Sequence, residues 1–227
     1  PAFKIGSGES DNLPLIRHIA QFNKPIILST GMQSIQSIQK SVDILIKSGV
    51  DYALLECTNL YPSPPEIVSL KGIKELELAF PDVLIGFSDH SIGPYMALAS
   101  VALGACIIER HFTDNRYRIG PDISCSMDPS ELRLIIDRSK EIFIARNNTK
   151  KRSISEESVY KFARGSLVAD RNLLKGRKIC SNDIWARRPG NGEIPAYEFD
   201  QVIGRTLTRD ILFNTQLKWS DFISENP

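Results

Sequence analysis

Two of the three histidines stand directly after apolar segments, in GFSDH and IIERHF, and are well placed for chemistry. The two segments are consecutive along the chain, and neighbouring strand ends lie about 5 Å apart in a sheet. The imidazoles of His90 and His111 could therefore reach one divalent ion, such as Mn, Fe, Co or Zn, and leave positions open for water and substrate. Two hydrogen-bonded core histidines are the alternative. His18 falls on the polar side of an amphipathic segment and is predicted to be a solvated surface residue.

Other polar groups also follow apolar segments. In KIGSGE, Lys4 offers a positive charge, Ser7 a hydroxyl and Glu9 a carboxylate, and the glycines let backbone N–H groups approach an anion. A plain turn between a strand and a helix is the alternative. The proline-stiffened segment TNLYPSPP offers the amide of Asn59 and the phenol of Tyr61, which suit a polyhydroxy ligand.

Two further loops carry polar groups. Residues 120–122, GPD, form a rigid loop near the last predicted strand, and residues 187–192, RRPGNG, form a turn in the C-terminal region. An arginine in that turn could meet an anionic or amide-bearing substrate. An ordinary proline turn and a solvated hairpin are the alternatives.

The composition is that of a globular protein, with 42% hydrophobic and 24% charged residues among 227. The net charge of +1 gives no indication of a nucleic-acid partner. No apolar run approaches the roughly 18–20 residues of a membrane-spanning helix, and no signal-peptide pattern is present, so no membrane partner is expected. The four cysteines form no C-x-x-C pair, and Cys57 and Cys106 fall in segments predicted as buried strands. They are therefore expected to be reduced thiols of a cytoplasmic protein.

Alternating strands and helices are predicted for residues 1–146. Apolar runs recur at residues 3–5, 25–29, 52–57, 83–87 and 106–109, and helical patterns occupy residues 13–22, 35–48, 94–103 and 129–146. Doubly wound sheets and TIM barrels both fit this α/β alternation. Polar residues after every strand favour the barrel, where all strand ends meet at one mouth. Five strands cannot close a barrel of eight, so either the sheet is open or the first three βα units are missing.

The C-terminal region differs in composition. Residues 147–164 begin with a polar stretch and are predicted to be a linker, and residues 165–227 a small β-rich domain. Residues 171–184 resemble residues 209–222 at an offset of 38, which indicates a pseudo-symmetric repeat.

The motifs KIGSGE, PIILSTGM, CTNLYPSPP, GFSDHSIGP, ERHFTD, GPDISCSM and RRPGNG together resemble the sialic acid (N-acetylneuraminate) synthase family, in order and spacing. The resemblance implies the last five βα units of a (β/α)8 TIM barrel over residues 1–146, followed after the linker by an SAF, or antifreeze-like, domain of β-clip type. It implies a C–C bond-forming transferase that condenses phosphoenolpyruvate with the N-acetylated hexosamine N-acetylmannosamine.

The resemblance also implies roles for single residues. His90 and His111 match the two histidines that hold a divalent metal, Mn²⁺ or Mg²⁺. Lys4, Ser7 and Ser88 match groups that surround phosphoenolpyruvate.

The other matched residues lie near the acceptor sugar. Asn59, Tyr61 and Asp122 match residues beside the sugar and the reacting centre, and Glu9 matches an active-site carboxylate. Arg188 matches the SAF-domain arginine that reaches the N-acetyl group in a partner subunit, which implies a domain-swapped homodimer.

Alternatives and departures accompany the resemblance. The alternatives are a synthase for a related nonulosonic acid, legionaminic or pseudaminic acid, and a non-catalytic sugar-binding remnant. Glu56 stands where many relatives carry His, and Ser10-Asp11 replaces a common Cys-Asn pair. The family's first three βα units have no counterpart, so we expect this chain alone to lack part of the phosphate-binding groups.

Overall fold

A computed structural model of the chain describes residues 1–223 and divides into two compact units, one spanning Pro1–Asn148 and one beginning at Thr149. The first unit contains five strands in parallel, in the order β1 to β5 along the sheet. Their bounds are Phe3–Ile5 (β1), Ile26–Ser29 (β2), Tyr52–Cys57 (β3), Leu84–Asp89 (β4) and Ile108–Arg110 (β5). This order lacks the reversal that defines a doubly wound sheet.

Helices follow each strand. They are Leu13–Ala20 (α1), Ile35–Ser48 (α2), Leu70–Ala79 (α3), Tyr95–Leu103 (α4) and Pro129–Arg146 (α5). Their ends follow the predicted capping residues: the Ser34 hydroxyl accepts a hydrogen bond from the backbone N–H of Ser37, and Gly49 ends α2 with a φ of 68°. The predicted strands and four of these helices are confirmed, whereas α3 had no separate prediction.

The core of the first unit lies between the sheet and the helices. Most of its buried members come from β1 to β4 and from α1 to α3, including Leu28, Leu54, Phe87, Leu45 and Ile73. The prediction of strands covered by helices is therefore confirmed. The prediction that Cys106 is buried is wrong: Cys57 is buried, but Cys106 is exposed, because β5 begins after it and forms an edge of the sheet.

The sheet is a half barrel. Lys4 on β1 and Glu109 on β5 form an ion pair with a separation of 3.4 Å between Nζ and Oε1. In a flat sheet the outer two of five strands would lie about 19 Å apart, beyond the combined reach of these side chains. The ion pair therefore requires the sheet to be strongly curved. The carboxyl ends of β1 to β5 then lie around one concave face.

The second unit is small and mostly irregular. It contains a short helix within the segment predicted as a linker, Glu157–Ala163 (α6), an antiparallel pair of strands, Ser166–Ala169 (β6) and Ile184–Arg187 (β7), and a one-turn helix, Phe199–Val202 (α7).

The predicted repeat organises the second unit. Leu173 and Ile211, which are 38 residues apart, exchange two backbone hydrogen bonds of 2.8 Å, as residues on either side of a twofold axis do. The equivalent positions 179 and 217, and 184 and 222, are all buried in one cluster. Asp183 and its equivalent Asp221 each accept a hydrogen bond from the backbone N–H three residues earlier. The repeat predicted from the sequence is therefore confirmed.

Candidate active site

A row of polar side chains crosses the concave face of the sheet. The strand register places Cys57 beside Ser88, and Ser88 beside Glu109. The Ser88 hydroxyl donates to Glu109 Oε1 at 3.1 Å, and Lys4 approaches the same oxygen from β1. Ser88 and Lys4, both predicted to surround an anionic substrate, thus share one carboxylate.

Beyond this row, three aromatic rings pack against one another, one pair tilted and the other two pairs edge to face. The ring centroids of His90 and His111 are 5.3 Å apart, and the Tyr61 ring lies 4.1 Å from His90 and 5.5 Å from His111. His90 is buried. The sequence expectation that the two histidines meet is confirmed, because they follow the adjacent strands β4 and β5.

Each imidazole has an oxygen atom beside its Nδ1. His90 Nδ1 lies 2.8 Å from the carbonyl oxygen of Thr58, and His111 Nδ1 lies 3.5 Å from Asp122 Oδ2. A carbonyl can only accept, so His90 Nδ1 carries the hydrogen and Nε2 keeps a free lone pair. Burial lowers the pKa of the His90 imidazole, which favours this neutral form.

Ser7, Asn59 and Cys57 converge on Gly31, which follows β2. The Ser7 hydroxyl accepts a hydrogen bond of 3.0 Å from the Gly31 N–H, and the Cys57 thiol donates to Asn59 Oδ1 at 3.2 Å. A Cβ atom at Gly31 would lie 2.1 Å from Asn59 Oδ1 and 2.8 Å from Ser7 Oγ. Glycine is therefore required here for the close approach of two predicted substrate-binding side chains.

Cys57 is a site residue that sequence reasoning missed. Its thiol touches Asn59, lies 3.9 Å from His90 Nδ1, and has the hydroxyls of Ser7 and Ser88 as neighbours. Burial raises the pKa of this thiol, so it is held as the neutral donor. The sequence signal for Cys57 is its position directly before TNLYP. Cys57 also ends an apolar run, and this pattern predicts a buried strand residue rather than a site residue.

No contact among residues 1–148 joins Glu9 to this group. The Glu9 carboxylate is exposed and accepts a hydrogen bond of 2.7 Å from the Asn12 side chain. Arg188 belongs to the second unit and is exposed. Both predicted roles stay predictions.

The loop that carries Arg188 is anchored rather than free. The Ser166 hydroxyl donates to the Pro189 carbonyl and accepts from the Gly192 N–H, at 3.1 and 2.8 Å. Gln216 Nε2 donates to Asn191 Oδ1 at 2.9 Å. These contacts fix the backbone of the turn within its own unit, while the Arg188 side chain stays exposed.

The donor chemistry at the two histidines fits a divalent metal. No group of three or more His, Cys, Asp or Glu side chains in residues 1–223 is arranged to hold an ion. Metal-binding histidines usually donate the hydrogen of one ring nitrogen to a carbonyl or carboxylate oxygen and bind the metal with the other nitrogen. His90 and His111 each have such an oxygen beside Nδ1, which leaves Nε2 as the ligand atom. With two protein ligands, an ion would keep open positions for substrate oxygens, unlike a closed structural site.

Comparison with known proteins defines the class of the chain. Residues 1–151 match the NeuB family, and residues 164–223 match the SAF domain. The chain therefore belongs to the NeuB family and carries an SAF domain. The resemblance to sialic acid synthases inferred from the motifs is confirmed.

Individual relatives are named as synthases of different products. The chain is 40% identical over 212 residues to the N,N'-diacetyllegionaminic acid synthase of Campylobacter jejuni, a match that covers 92% of this chain and 63% of that protein. It is 33% identical to the N-acetylneuraminate-9-phosphate synthase of Drosophila melanogaster, covering 93% of this chain and 63% of the relative. The chain thus spans less than two thirds of the length of these relatives.

Solved structures extend the comparison. A crystal structure of an N-acetylneuraminic acid synthetase from Leptospira borgpetersenii, in complex with citrate, matches with a TM-score of 0.66 and 31% identity. That match covers 70% of this chain and 55% of the other. The spore coat polysaccharide biosynthesis protein SpsE of Bacillus subtilis matches with a TM-score of 0.62 and 30% identity, covering 99% of this chain and 68% of the other. In residues 1–223, no helix has the length and apolar character needed to cross a membrane.

Proposed function

We propose that the chain carries part of the active site of a C–C bond-forming transferase that condenses phosphoenolpyruvate with N-acetylmannosamine, giving a sialic acid and phosphate. The observation that supports this most directly is the pair His90 and His111, whose rings lie 5.3 Å apart beside the row of Lys4 and Ser88. The pair offers two nitrogen ligands, and the row offers a cation and a hydroxyl to an anionic substrate.

The reaction forms one carbon–carbon bond and one carbon–oxygen bond, and it breaks one carbon–oxygen bond. C3 of phosphoenolpyruvate attacks the aldehyde carbon of the open-chain sugar, the hydroxyl of a water molecule adds at C2, and the proton of that water goes to the former aldehyde oxygen. Phosphate leaves by cleavage of its C2–O bond, and C2 becomes a ketone as its hydroxyl proton passes to the departing phosphate. Lys4 is suited to attract the carboxylate or phosphate as a point charge. Ser7 and Ser88 would donate hydrogen bonds to the same anion.

The remaining side chains suit the acceptor. A divalent ion, Mn²⁺ or Mg²⁺, held by His90 and His111 would supply Lewis-acid polarisation of the sugar carbonyl. Asn59 and Tyr61 would orient sugar hydroxyl and amide groups, because an amide and a phenol can both donate and accept. Asp122 keeps the His111 ring in place and lies at the predicted reacting centre.

The proposed architecture is the last five βα units of a (β/α)8 barrel joined to an SAF domain of β-clip type, in a cytoplasmic protein. The five-stranded half barrel supports this, because its curvature brings β1 and β5 within reach of one ion pair. Three further βα units would close the remaining side.

An assay of phosphate release tests the function. The chain is extended to the full length of its relatives and supplied with phosphoenolpyruvate, N-acetylmannosamine and Mn²⁺. Turnover is expected in the wild type, loss in His90→Ala and His111→Ala, and near-normal turnover in the control His18→Ala, because His18 is exposed on α1. No turnover with any acceptor, together with retained sugar binding, would favour a non-catalytic sugar-binding protein.

A second candidate product is a related nonulosonic acid. The 40% identity to the legionaminic acid synthase of Campylobacter jejuni favours it, and a pseudaminic acid synthase of the same organism is 33% identical. Competing the three acceptors in one reaction and identifying the product by mass spectrometry distinguishes them. A legionaminic or pseudaminic product would replace the sialic acid assignment while leaving the reaction class intact.

We also propose a domain-swapped homodimer in which Arg188 meets the N-acetyl group in the partner subunit. The loop of residues 188–192 supports this proposal, because hydrogen bonds fix its backbone while Arg188 is exposed and free to meet another subunit. Mixing an Arg188→Ala chain with a His90→Ala chain should restore some activity in heterodimers. Heterodimers that form but stay inactive would contradict the swap.

A further inference from the structure

Arg110, the last residue of β5, has a buried guanidinium directly before His111. The exposed fraction of its side chain is 1%. A buried charge is costly to remove from water, so its retention requires specific partners. None of the tasks proposed for substrate or metal binding uses it.

The partners of Arg110 all belong to segments around the two histidines. Nη2 donates to the carbonyl oxygens of Ser91 at 2.6 Å and Cys125 at 3.4 Å. Nη1 donates to the carbonyl oxygen of Gly93 at 2.9 Å and to Glu131 Oε1 at 2.7 Å. One side chain thus joins the loop after β4, the turn before α5, and the first turn of α5 itself.

These segments set the positions of both imidazoles. Ser91 follows His90 immediately, and its backbone N–H donates to Asp89 Oδ1 at 2.9 Å. Cys125 ends the short turn that follows Asp122, the carboxylate beside His111 Nδ1. Arg110 therefore holds the backbone on one side of His90 and the turn that orients His111.

We propose that Arg110 is a positioning residue that fixes His90 and His111 relative to each other, an inference that rests on the proposed function because the pair is the proposed metal site. Arg110 makes no hydrogen bond to Thr58 or Asp122, the residues beside the two Nδ1 atoms. It acts through the carbonyl groups of the two loops and through two ion pairs, one with Asp89 at 3.4 Å, directly before His90, and one with Glu131 at 2.7 Å. Its planar guanidinium donates hydrogen bonds to oxygen atoms in several fixed directions at once, which the compact ammonium of lysine cannot do.

The test compares Arg110→Lys and Arg110→Met with a matched control, Arg118→Met. Arg118 has an exposed guanidinium in the same loop region and makes two hydrogen bonds to Asp114. With histidine labelled by ¹⁵N, the chain gives three imidazole signals, and exposed His18 is the internal reference.

In the wild type, the His90 and His111 signals should show a fixed tautomer with hydrogen on Nδ1, and His18 should show averaging. Both Arg110 variants should shift the His90 and His111 signals toward tautomer averaging and leave His18 unchanged. Affinity for Mn²⁺ should fall about 10- to 100-fold, the usual effect of losing an outer-shell partner. Arg118→Met should change neither readout.

Two results would overturn the inference. One is an Arg110→Lys protein whose His90 and His111 signals match the wild type. The other is global unfolding of both Arg110 variants, which would make Arg110 a residue of general stability. A folded Arg110→Lys protein decides the question if Arg110→Met does not fold.

The same samples separate this inference from the proposed function. Added Mn²⁺ should broaden the wild-type His90 and His111 signals and spare His18. If it broadens none of them, the proposed metal site is wrong, while the tautomer comparison without metal still decides whether Arg110 positions the pair.

Discussion

Each of the two units buries a carboxylate, and the pKa values of the two groups shift in opposite directions. Glu56 on β3 packs against α3, where a Cβ on Gly72 would lie 2.6 Å from its Oε2. Burial raises the pKa of Glu56 to about 7, and the nearby Glu75 adds to the effect. In the second unit, two hydrogen bonds from Arg177, of 2.8 and 2.7 Å, hold the pKa of Asp183 at about 2.

The two carboxylates separate the effect of burial on a pKa from the effect of hydrogen-bonded partners. The Asp183 side chain is 0% exposed, so burial alone would have raised its pKa as it does that of Glu56. The guanidinium of Arg177 and the backbone N–H of Cys180 reverse the sign, because they bond to the charged form. Glu56 has a backbone N–H of Cys57 in partial compensation and a second carboxylate nearby. The first unit therefore tolerates a carboxyl group that stays protonated up to about pH 7, and the second unit requires a charged one.

The largest effect should come from removing the charged carboxylate. Asp183→Ala leaves Arg177 and the Cys180 N–H without their partner, and should lower the unfolding free energy of the second unit by about 2–4 kcal/mol. Tryptophan fluorescence during urea unfolding measures this unit, because Trp185 and Trp219, the two tryptophans of the chain, both lie in it.

Asp170→Ala is the control for this change. Asp170 pairs with Arg187 at 2.6 Å but is 41% exposed, so its loss should cost less than about 1 kcal/mol. Equal losses in the two variants would contradict the role of Asp183.

Neutralising Glu56 should have the next largest effect on the unfolding free energy, and it should raise this free energy instead of lowering it. Because the folded-state pKa is raised, the stability it contributes is present below its unfolded value and is lost as pH rises through about 7. Glu56→Gln should therefore be more stable than the wild type by about 1–3 kcal/mol at about pH 8, and the two should converge at about pH 4. Urea unfolding followed by far-ultraviolet circular dichroism measures this, since α1 to α5 lie in the first unit.

Glu66→Gln, a change at an exposed carboxylate after β3, is the control and should leave the pH dependence unaltered. A Glu56→Gln protein that loses stability with pH as steeply as the wild type would show that burial of Glu56 is not the cause.

Acid should remove the stabilisation that Asp183 gives to the second unit. The pKa of Asp183 is lowered, so its stabilisation is present above about pH 4 and is lost as pH falls through about 2. The unfolding free energies of the wild type and Asp183→Asn should differ by about 1–2 kcal/mol at neutral pH, a small value because solvent screens the half-exposed Arg177. This difference should shrink by about pH 2. A difference that stays constant across this range would contradict the hydrogen-bonded ion pair.

The smallest effect should come from the neighbour of Glu56. Glu75 raises the pKa of Glu56 through its negative charge while pairing with Lys71 at 2.9 Å. Glu75→Gln should lower that pKa by roughly 0.3, because an exposed charge acts weakly through water. Carbon NMR of the Glu56 carboxyl group measures the change, and Glu77→Gln, whose partner is Lys74, should produce none.

Most elements of the first unit, and the repeat of the second, could be predicted from local signals. Apolar runs mark the five parallel strands, and Ser34, Gly49 and Asp128 mark helix ends, because caps and periodicity depend on residues within a few positions. The repeat at an offset of 38 identified Leu173 and Ile211 as equivalent positions, and the structure shows that these two residues pair. Signals of this kind lie within one segment and need no knowledge of the rest of the chain.

The grouping of His90 with His111 was also predictable, because both follow consecutive strands and parallel neighbours end at the same edge of a sheet. The tertiary structure decided what surrounds them. The pairing of Lys4 with Glu109 depends on the curvature of the whole sheet, and the convergence of Cys57 on Ser7 depends on strand register.

The sequence by itself determined the order of strands and helices, the repeat, and the set of polar residues that follow the strands, because each is encoded in neighbouring residues. Only the tertiary structure decided that Glu56 is pressed against α3 while Asp183 meets Arg177, and that Arg110 is buried among carbonyl groups of two loops and the carboxylates of Asp89 and Glu131. Burial and electrostatic environment are sums over atoms brought together from distant parts of the chain. A carboxylate or guanidinium in a sequence therefore carries its charge but not its surroundings, and the surroundings set its pKa and its role.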